Sequence, residues 1–159
     1  MAAALVEMAA RFTLARDEYA QTHERMAEIE ARAGELRNRA LELAETELHA
    51  FEPVLEALRL PRDDPERVGR VEAARAKASE SPLAIARVAA ELAGLAAETV
   101  RSGNVNLAGD AITGALLAEA AAQAAVRLVA INLTDGPAVS EAVDLARCAL
   151  TARDEVLSG

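Results

Sequence analysis

Residues 107–133 read LAGDAITGALLAEAAAQAAVRLVAINL, and this stretch decides the fold class. It has no proline and is dominated by alanine and leucine, which have the highest helix propensities. Asp110, Gly114, Leu117, Ala121, Ala124, Leu128 and Ile131 recur at three- and four-residue steps, the spacing of one helix face. Because the segment is apolar around most of its circumference, it is expected to be the central helix of an all-α protein, with Asp110 at the start of its inward line. Glu119, Gln123 and Arg127 interrupt it, so a membrane span is not expected. Breakers flank it on both sides. Before it lies Ser102-Gly103-Asn104-Val105-Asn106, where Gly103 is expected to take positive φ and Asn106 to cap the following helix; after it lies Thr134-Asp135-Gly136-Pro137.

Helical periodicity extends outward from this segment to both ends of the chain. Residues 2–22 place Leu5, Met8, Phe12, Ala15 and Tyr19 on one face, which is expected to be buried. Residues 24–59 place Met26, Ile29, Ala33, Leu36, Ala40 and Leu43 on a line that continues through Glu47, Ala50, Val54 and Ala57, with a kink expected near Pro53. Leu60-Pro61-Arg62-Asp63-Asp64-Pro65 breaks the pattern, and two further pieces, about 65–79 and 81–101, meet near a second kink at Pro82. A last amphipathic helix over about 138–157 turns Ala142, Leu145, Ala149 and Ala152 inward. About five or six helices with short connections predict an antiparallel helical bundle, a single domain over residues 1–159.

Composition narrows the function classes. About a quarter of the 159 residues are alanine and only 2% are aromatic, which argues against an all-β fold. Acidic residues outnumber basic ones 26 to 17, giving a net charge of −9, so a nucleic-acid partner is not expected. Cys148 is the only cysteine, which excludes an internal disulfide and a cysteine-based zinc cluster and fits a cytoplasmic protein. Its neighbours Arg147, Ala149 and Leu150 place it in a helix, where a buried apolar role is expected. The N-terminus has no basic start and does not read as a signal peptide. An alanine-rich core buries little area per residue, so a homodimer is expected.

In such a bundle the informative residues are polar groups on apolar lines, because a buried carboxylate without a partner is costly. Glu47 falls on the seam of the second segment. It marks either a functional carboxylate or a seam drifting to the surface, since a straight helix drifts about 20° per heptad. Asp110 admits either a site role or stabilisation by the helix dipole. Asn104, Asn106 and Asp110 form a dense polar group directly after Gly103, and Asn132 adds an amide at the far end of the same helix. His23 and His49 complete no Glu-x-x-His pair, so no metal site is expected; His49 follows Glu45 by four residues, the spacing of a helix-surface pair. The charge run from Glu24 to Arg37 reads as a solvated face.

The order of these features resembles a known family. Leu5-Val6-Glu7-Met8-Ala9-Ala10 with Thr13 comes first, then Glu47-Leu48-His49-Ala50-Phe51 with Leu60-Pro61, then Ala78 and Ser81-Pro82-Leu83, then Gly103-Asn104-Val105-Asn106 with Asp110, and finally Ile131-Asn132-Leu133. Together they resemble the cyclodeaminase domain of formiminotransferase-cyclodeaminase and its stand-alone bacterial relatives, including methenyltetrahydrofolate cyclohydrolases. The most specific piece is Gly-Asn-x-Asn…Asp. There are two departures: this chain starts inside the first helix, without the family's Pro-Gly-Gly-Gly-Ser-type stretch, and it has Glu47 where the family has aspartate. The resemblance implies conversion of 5-formimidoyltetrahydrofolate to 5,10-methenyltetrahydrofolate with loss of ammonia, or the related cyclohydrolase reaction. The folate is then substrate and no tightly bound cofactor is required. It also implies Asp110 as acid/base group, Glu47 as second carboxylate or cation stabiliser, and Gly103, Asn104, Asn106 and Asn132 as substrate-binding positions. Arg75 or Arg101 would meet the folate glutamate tail. The alternative is a family member without catalysis, serving as a folate-binding or structural dimer; the missing glycine-rich stretch favours it.

Overall fold

A computed structural model describes residues 1–158. Seven α-helices run along the chain: α1 (Ala2–Leu14), α2 (His23–Ala50), α3 (Glu52–Leu58), α4 (Arg67–Ala78), α5 (Glu80–Ser102), α6 (Ala108–Asn132) and α7 (Pro137–Ser158). Short 3-10 stretches cover Asp17–Thr22 and Val105–Leu107, and no strand occurs among the described residues. The all-α antiparallel bundle is therefore as expected. Five helices, α1, α2, α5, α6 and α7, build the main body, and α3 and α4 pair as a small hairpin at one end.

Pro53 and Pro82, the two prolines of the expected kinks, sit in first turns of helices, and the interruptions fall just ahead of them. Pro53 lies in the first turn of α3, after α2 ends at Ala50. Pro82 lies in the first turn of α5, behind the break at Ser79. A first-turn backbone N–H has no partner within the helix, so proline costs nothing there. Each proline therefore opens a new helix, and the interruptions fall near Pro53 and Pro82 as expected, with the linking Phe51 and Ser79 still in the right-handed helical region.

α2 and α5 run antiparallel. Arg25 pairs with Glu98, with Nε–Oε1 at 2.6 Å, and Arg32 pairs with Glu91 at 2.5 Å, so the start of α2 meets the end of α5. At the other end Ser81 Oγ lies 3.5 Å from the Leu43 carbonyl. The mixed-charge run is thus a solvated face that also ties two helices together. The core beneath it joins Met26, Ile29, Ala33, Leu36 and Leu43 of α2 to Leu92, Ala93, Ala96 and Ala97 of α5.

Two expected inner faces are turned outward. In α1 the buried line is Ala3, Val6, Ala10 and Thr13, whereas Phe12 is 52% exposed and Leu5 and Met8 are half-buried. Tyr19 lies beyond α1, in the 3-10 stretch. In α6 the core line is Ala111, Ala115, Ala118, Ala122, Ala125 and Val129. The line through Leu117, Ala121, Ala124, Leu128 and Ile131 faces solvent. The smaller side chains face inward because α6 packs closely against α1, α5 and α7, and alanine and glycine allow a near approach. Gly114 shows this directly, since a Cβ there would meet Val6 Cγ2 at 3.0 Å. Periodicity locates an apolar face but cannot rank two competing ones. Cys148 is also exposed, one position before the buried Ala149 of α7.

Candidate functional site

The Gly103–Asp110 segment is built by the end of α5 and the entrance of α6, and α1 fixes it in place. Thr13, fully buried, donates its hydroxyl proton to the Ala9 carbonyl (2.8 Å) and accepts the Asn104 backbone N–H (2.9 Å). Tyr19 Oη accepts the Val105 N–H at 3.1 Å. The Asn104 side-chain oxygen then accepts both the backbone N–H and the side-chain N–H of Asn106, at 3.0 and 3.1 Å. Asn104 is 7% exposed and acts as the bracket of the turn. Asn106 is exposed, and four residues on Asp110 stands half-buried in the first turn of α6 without a hydrogen bond or ion pair to any described residue. The segment therefore holds a rigid amide and presents a free carboxylate.

Gly103 is needed here for a reason other than the expected one. Its φ is −92°, so it does not occupy the left-handed region. A Cβ at this position would fall 2.5 Å from the Thr99 carbonyl oxygen and 3.2 Å from Thr13 Oγ1. Glycine is required because the Thr99 carbonyl in the last turn of α5 occupies the place of a Cβ, with Thr13 of α1 close behind it, and the left-handed conformation appears instead at Gly136 (φ 107°), ahead of α7. Asn106 does not cap α6; Asn104 caps the 3-10 turn before it.

Glu47 and Asn132 lie at the other end of the bundle. Asp110 and Asn132 are separated by almost the whole of α6, about 33 Å at the rise of an α-helix. Asn132 Nδ2 reaches the Ala78 carbonyl at 3.4 Å, tying the end of α6 to the α4–α5 junction. Glu47 stands one turn beyond Leu43, whose carbonyl meets Ser81 at that same junction. Neither Glu47 Oε2 nor Asn132 Oδ1, both buried, has a hydrogen-bond partner among the described residues. A hollow of about 340 Å³ beside Asn132 is lined by Glu72, Arg75, Leu133, Thr134 and Asp135. Gly103, Asn104, Asn106 and Asp110 thus lie together at one end of the bundle, whereas Glu47 on α2 and Asn132 on α6 stand at the opposite end with no contact between them among the described residues. Arg75 lines the hollow beside Asn132 and pairs with no described carboxylate, whereas Arg101 is engaged by Glu155.

Three contributors went unassigned in the sequence. Thr13 carried a signal, being a hydroxyl on the three-residue line Ala3–Val6–Ala10. Tyr19 carries none, because a continuous helix over residues 2–22 makes it one more apolar position on that face. Glu7 is 8% exposed and forms ion pairs with Arg11 (3.0 Å) and Arg37 (2.9 Å), while Arg11 also binds Glu30 at 2.6 Å. This bracket sets α1 against α2 and so fixes the height of Thr13. His49 Nδ1 pairs with Glu52 at 2.9 Å, not with Glu45.

Comparison with known proteins assigns the chain to a family. The chain matches the formiminotransferase-cyclodeaminase family over residues 1–143. It belongs to that family. It is 29% identical over 136 residues to a methenyltetrahydrofolate cyclohydrolase from Methylorubrum extorquens, an alignment covering 83% of this chain and 65% of that protein. The chain thus spans just under two thirds of that relative's length. It also resembles the crystal structure of formiminotetrahydrofolate cyclodeaminase from Thermotoga maritima, with a TM-score of 0.89 and 27% identity over 99% of this chain and 80% of that one.

Proposed function

We propose that this protein acts as a homodimer on 5-formimidoyltetrahydrofolate, closing it to 5,10-methenyltetrahydrofolate with release of ammonia. The observation that carries the reading is the free Asp110 carboxylate beside a braced pair of amides, in a chain of this family. In the protonated substrate, N10 attacks the formimidinium carbon, forming the N10–C bond. Asp110 takes the N10 proton and delivers it to the departing amino nitrogen. The C–N bond then breaks, ammonia leaves, and the positive charge stays on the methenyl bridge. Carboxylates stabilise that cation throughout, and fixed amides orient the amidine without reorganising during the reaction. Asn106, whose side-chain oxygen has no hydrogen-bond partner among the described residues, is assigned to the substrate, and Asn104 to holding Asn106.

The likeness to a named cyclohydrolase supports a second reading, in which water attacks the methenyl carbon and Asp110 takes the water's proton. Following methenyltetrahydrofolate absorbance separates the two, because the cyclodeaminase forms this compound from the formimidoyl substrate and the cyclohydrolase only consumes it. Asp110→Asn is expected to lower turnover in either direction by about 100-fold or more, the usual contribution of a positioned acid/base group. Unchanged turnover in that variant removes Asp110 from the chemistry.

A further inference from the structure

We infer that the α3–α4 hairpin is a hinged flap, pivoting at Phe51 and Ser79, that closes over the hollow beside Asn132 when a ligand fills it. Little apolar surface holds the hairpin to the body. α3 buries only Val54 and Ala57 and α4 only Ala78, and none of the three belongs to the apolar core that joins α1, α2, α5, α6 and α7. Elements that bury so little open most readily. Phe51 (φ −92°, ψ −11°) and Ser79 (φ −85°, ψ −13°) each join two helices without an intervening loop, and such element-terminal residues absorb the backbone rotation of a hinge. The two joints face each other across a hollow of about 300 Å³, with Thr46, His49 and Pro53 on one side and Lys77, Glu80 and Ser81 on the other. One exposed side-chain pair crosses each joint, His49–Glu52 at 2.9 Å and Lys77–Glu80 at 2.7 Å. Pairs of this kind contribute little and yield to rotation. Within the hairpin, Arg67 Nε donates to the Leu60 carbonyl at 3.1 Å, so α3 and α4 turn together.

Pro82 links this hinge to Asn132. In an uninterrupted helix the N–H of residue 82 would bond the Ala78 carbonyl, and proline has no N–H to give. Asn132 Nδ2 takes that place at 3.4 Å, a long bond and the one hydrogen bond between the hairpin and α1, α6 or α7 among the described residues. Oδ1 of the same amide is buried without a partner. Asn132 and Arg75 line opposite walls of the 340 Å³ hollow, Asn132 on the body and Arg75 on the flap. A ligand that offers an N–H to Asn132 and an anionic group to Arg75 therefore grips both walls at once. It binds the closed form better than the open one, and that difference is what shifts the equilibrium. The inference rests on the proposed function only in taking 5-formimidoyltetrahydrofolate, which carries both kinds of group, as the ligand.

Hydrogen exchange followed by mass spectrometry tests the hinge in the wild-type protein without ligand. Amides of α4 are expected to exchange about 100-fold faster than those of α5 and α6, as a unit of low local stability does. Saturating 5-formimidoyltetrahydrofolate is expected to slow α4 exchange about 10-fold, because a ligand that binds the closed form depletes the open one. Arg75→Ala, folded as wild type by circular dichroism, is expected to lose that slowing. In a Cys148→Ser background, Glu72→Cys and Asp135→Cys place thiols on opposite walls of the hollow. Joining them with bis-maleimidoethane is expected to slow α4 exchange without ligand and to block turnover, while the unlinked double variant remains active. α4 amides that exchange as slowly as those of α5 in the free protein overturn the hinge. α4 exchange that bound substrate leaves unchanged, or turnover that survives the cross-link, overturns the closure. A protein that neither turns over nor binds the folate refutes the proposed function instead, and exchange in the free and cross-linked proteins then decides the hinge without reference to activity.

Discussion

Thr13→Val isolates the contact that holds the Gly103–Asp110 segment against α1. Valine has nearly the shape of threonine, so the packing of a fully buried residue is preserved while the hydroxyl is lost. The Ala9 carbonyl gives up one of its donors and keeps its place in the helix ladder. The Asn104 N–H fares worse, losing its 2.9 Å acceptor in a residue that is only 7% exposed. An unsatisfied buried donor costs about 1–3 kcal/mol. At about 2 kcal/mol, Tm falls by about 4–8 °C for a chain of this size. Thermal unfolding followed by circular dichroism, with urea titration as a check, measures the loss. Thr13→Ser, which keeps the hydroxyl, is expected to recover most of the hydrogen-bond contribution and lose only a methyl group. A Tm within about 1 °C of wild type for Thr13→Val would show that the segment is not anchored there and refute the account of how Asn104 is positioned.

Gly103→Ala places a methyl group 2.5 Å from the Thr99 carbonyl, so it is expected to destabilise the protein by about 1–3 kcal/mol in urea titration and to lower turnover by displacing Asn104 and Asn106. Glu7→Gln keeps the shape of the α1–α2 bracket but removes the charge facing Arg11 and Arg37; a loss of about 1–2 kcal/mol is expected by the same measurement. The two Arg25–Glu98 hydrogen bonds hold the Glu98 carboxyl below its usual range. A carboxyl whose folded pKa is depressed contributes stability above its unfolded value, about 4.3, and loses it as pH falls through the folded value. Glu98→Gln is therefore expected to flatten the acid-unfolding curve below about pH 4, as read by circular dichroism.

The all-α bundle was legible in the sequence because alanine-rich periodicity and clear breakers leave few alternatives. The Gly103–Asp110 segment was legible as a polar group at a helix entrance. The choice of face in α1 and α6 was not, because both helices carry two apolar stripes. Bulky Leu117, Leu128 and Phe12 look like core in one dimension, yet the helices approach closely enough that only Ala111, Ala115, Ala118 and Gly114 fit between them. The separation of Glu47 from Asp110 was also hidden, because a linear pattern records that each carboxylate breaks an apolar line but not which end of the bundle it occupies. The role of Glu7 is hidden for a related reason. Its partner Arg37 lies thirty residues away, a distance that helix spacing alone does not relate.

Simultaneous measurement of methenyltetrahydrofolate and ammonia from 5-formimidoyltetrahydrofolate tests the central claim most directly. The account predicts that the wild-type protein forms both in equal amounts, and that both fall together in Asp110→Asn. Failure of the protein to form either product, together with no saturable heat on titration with the substrate, would contradict it.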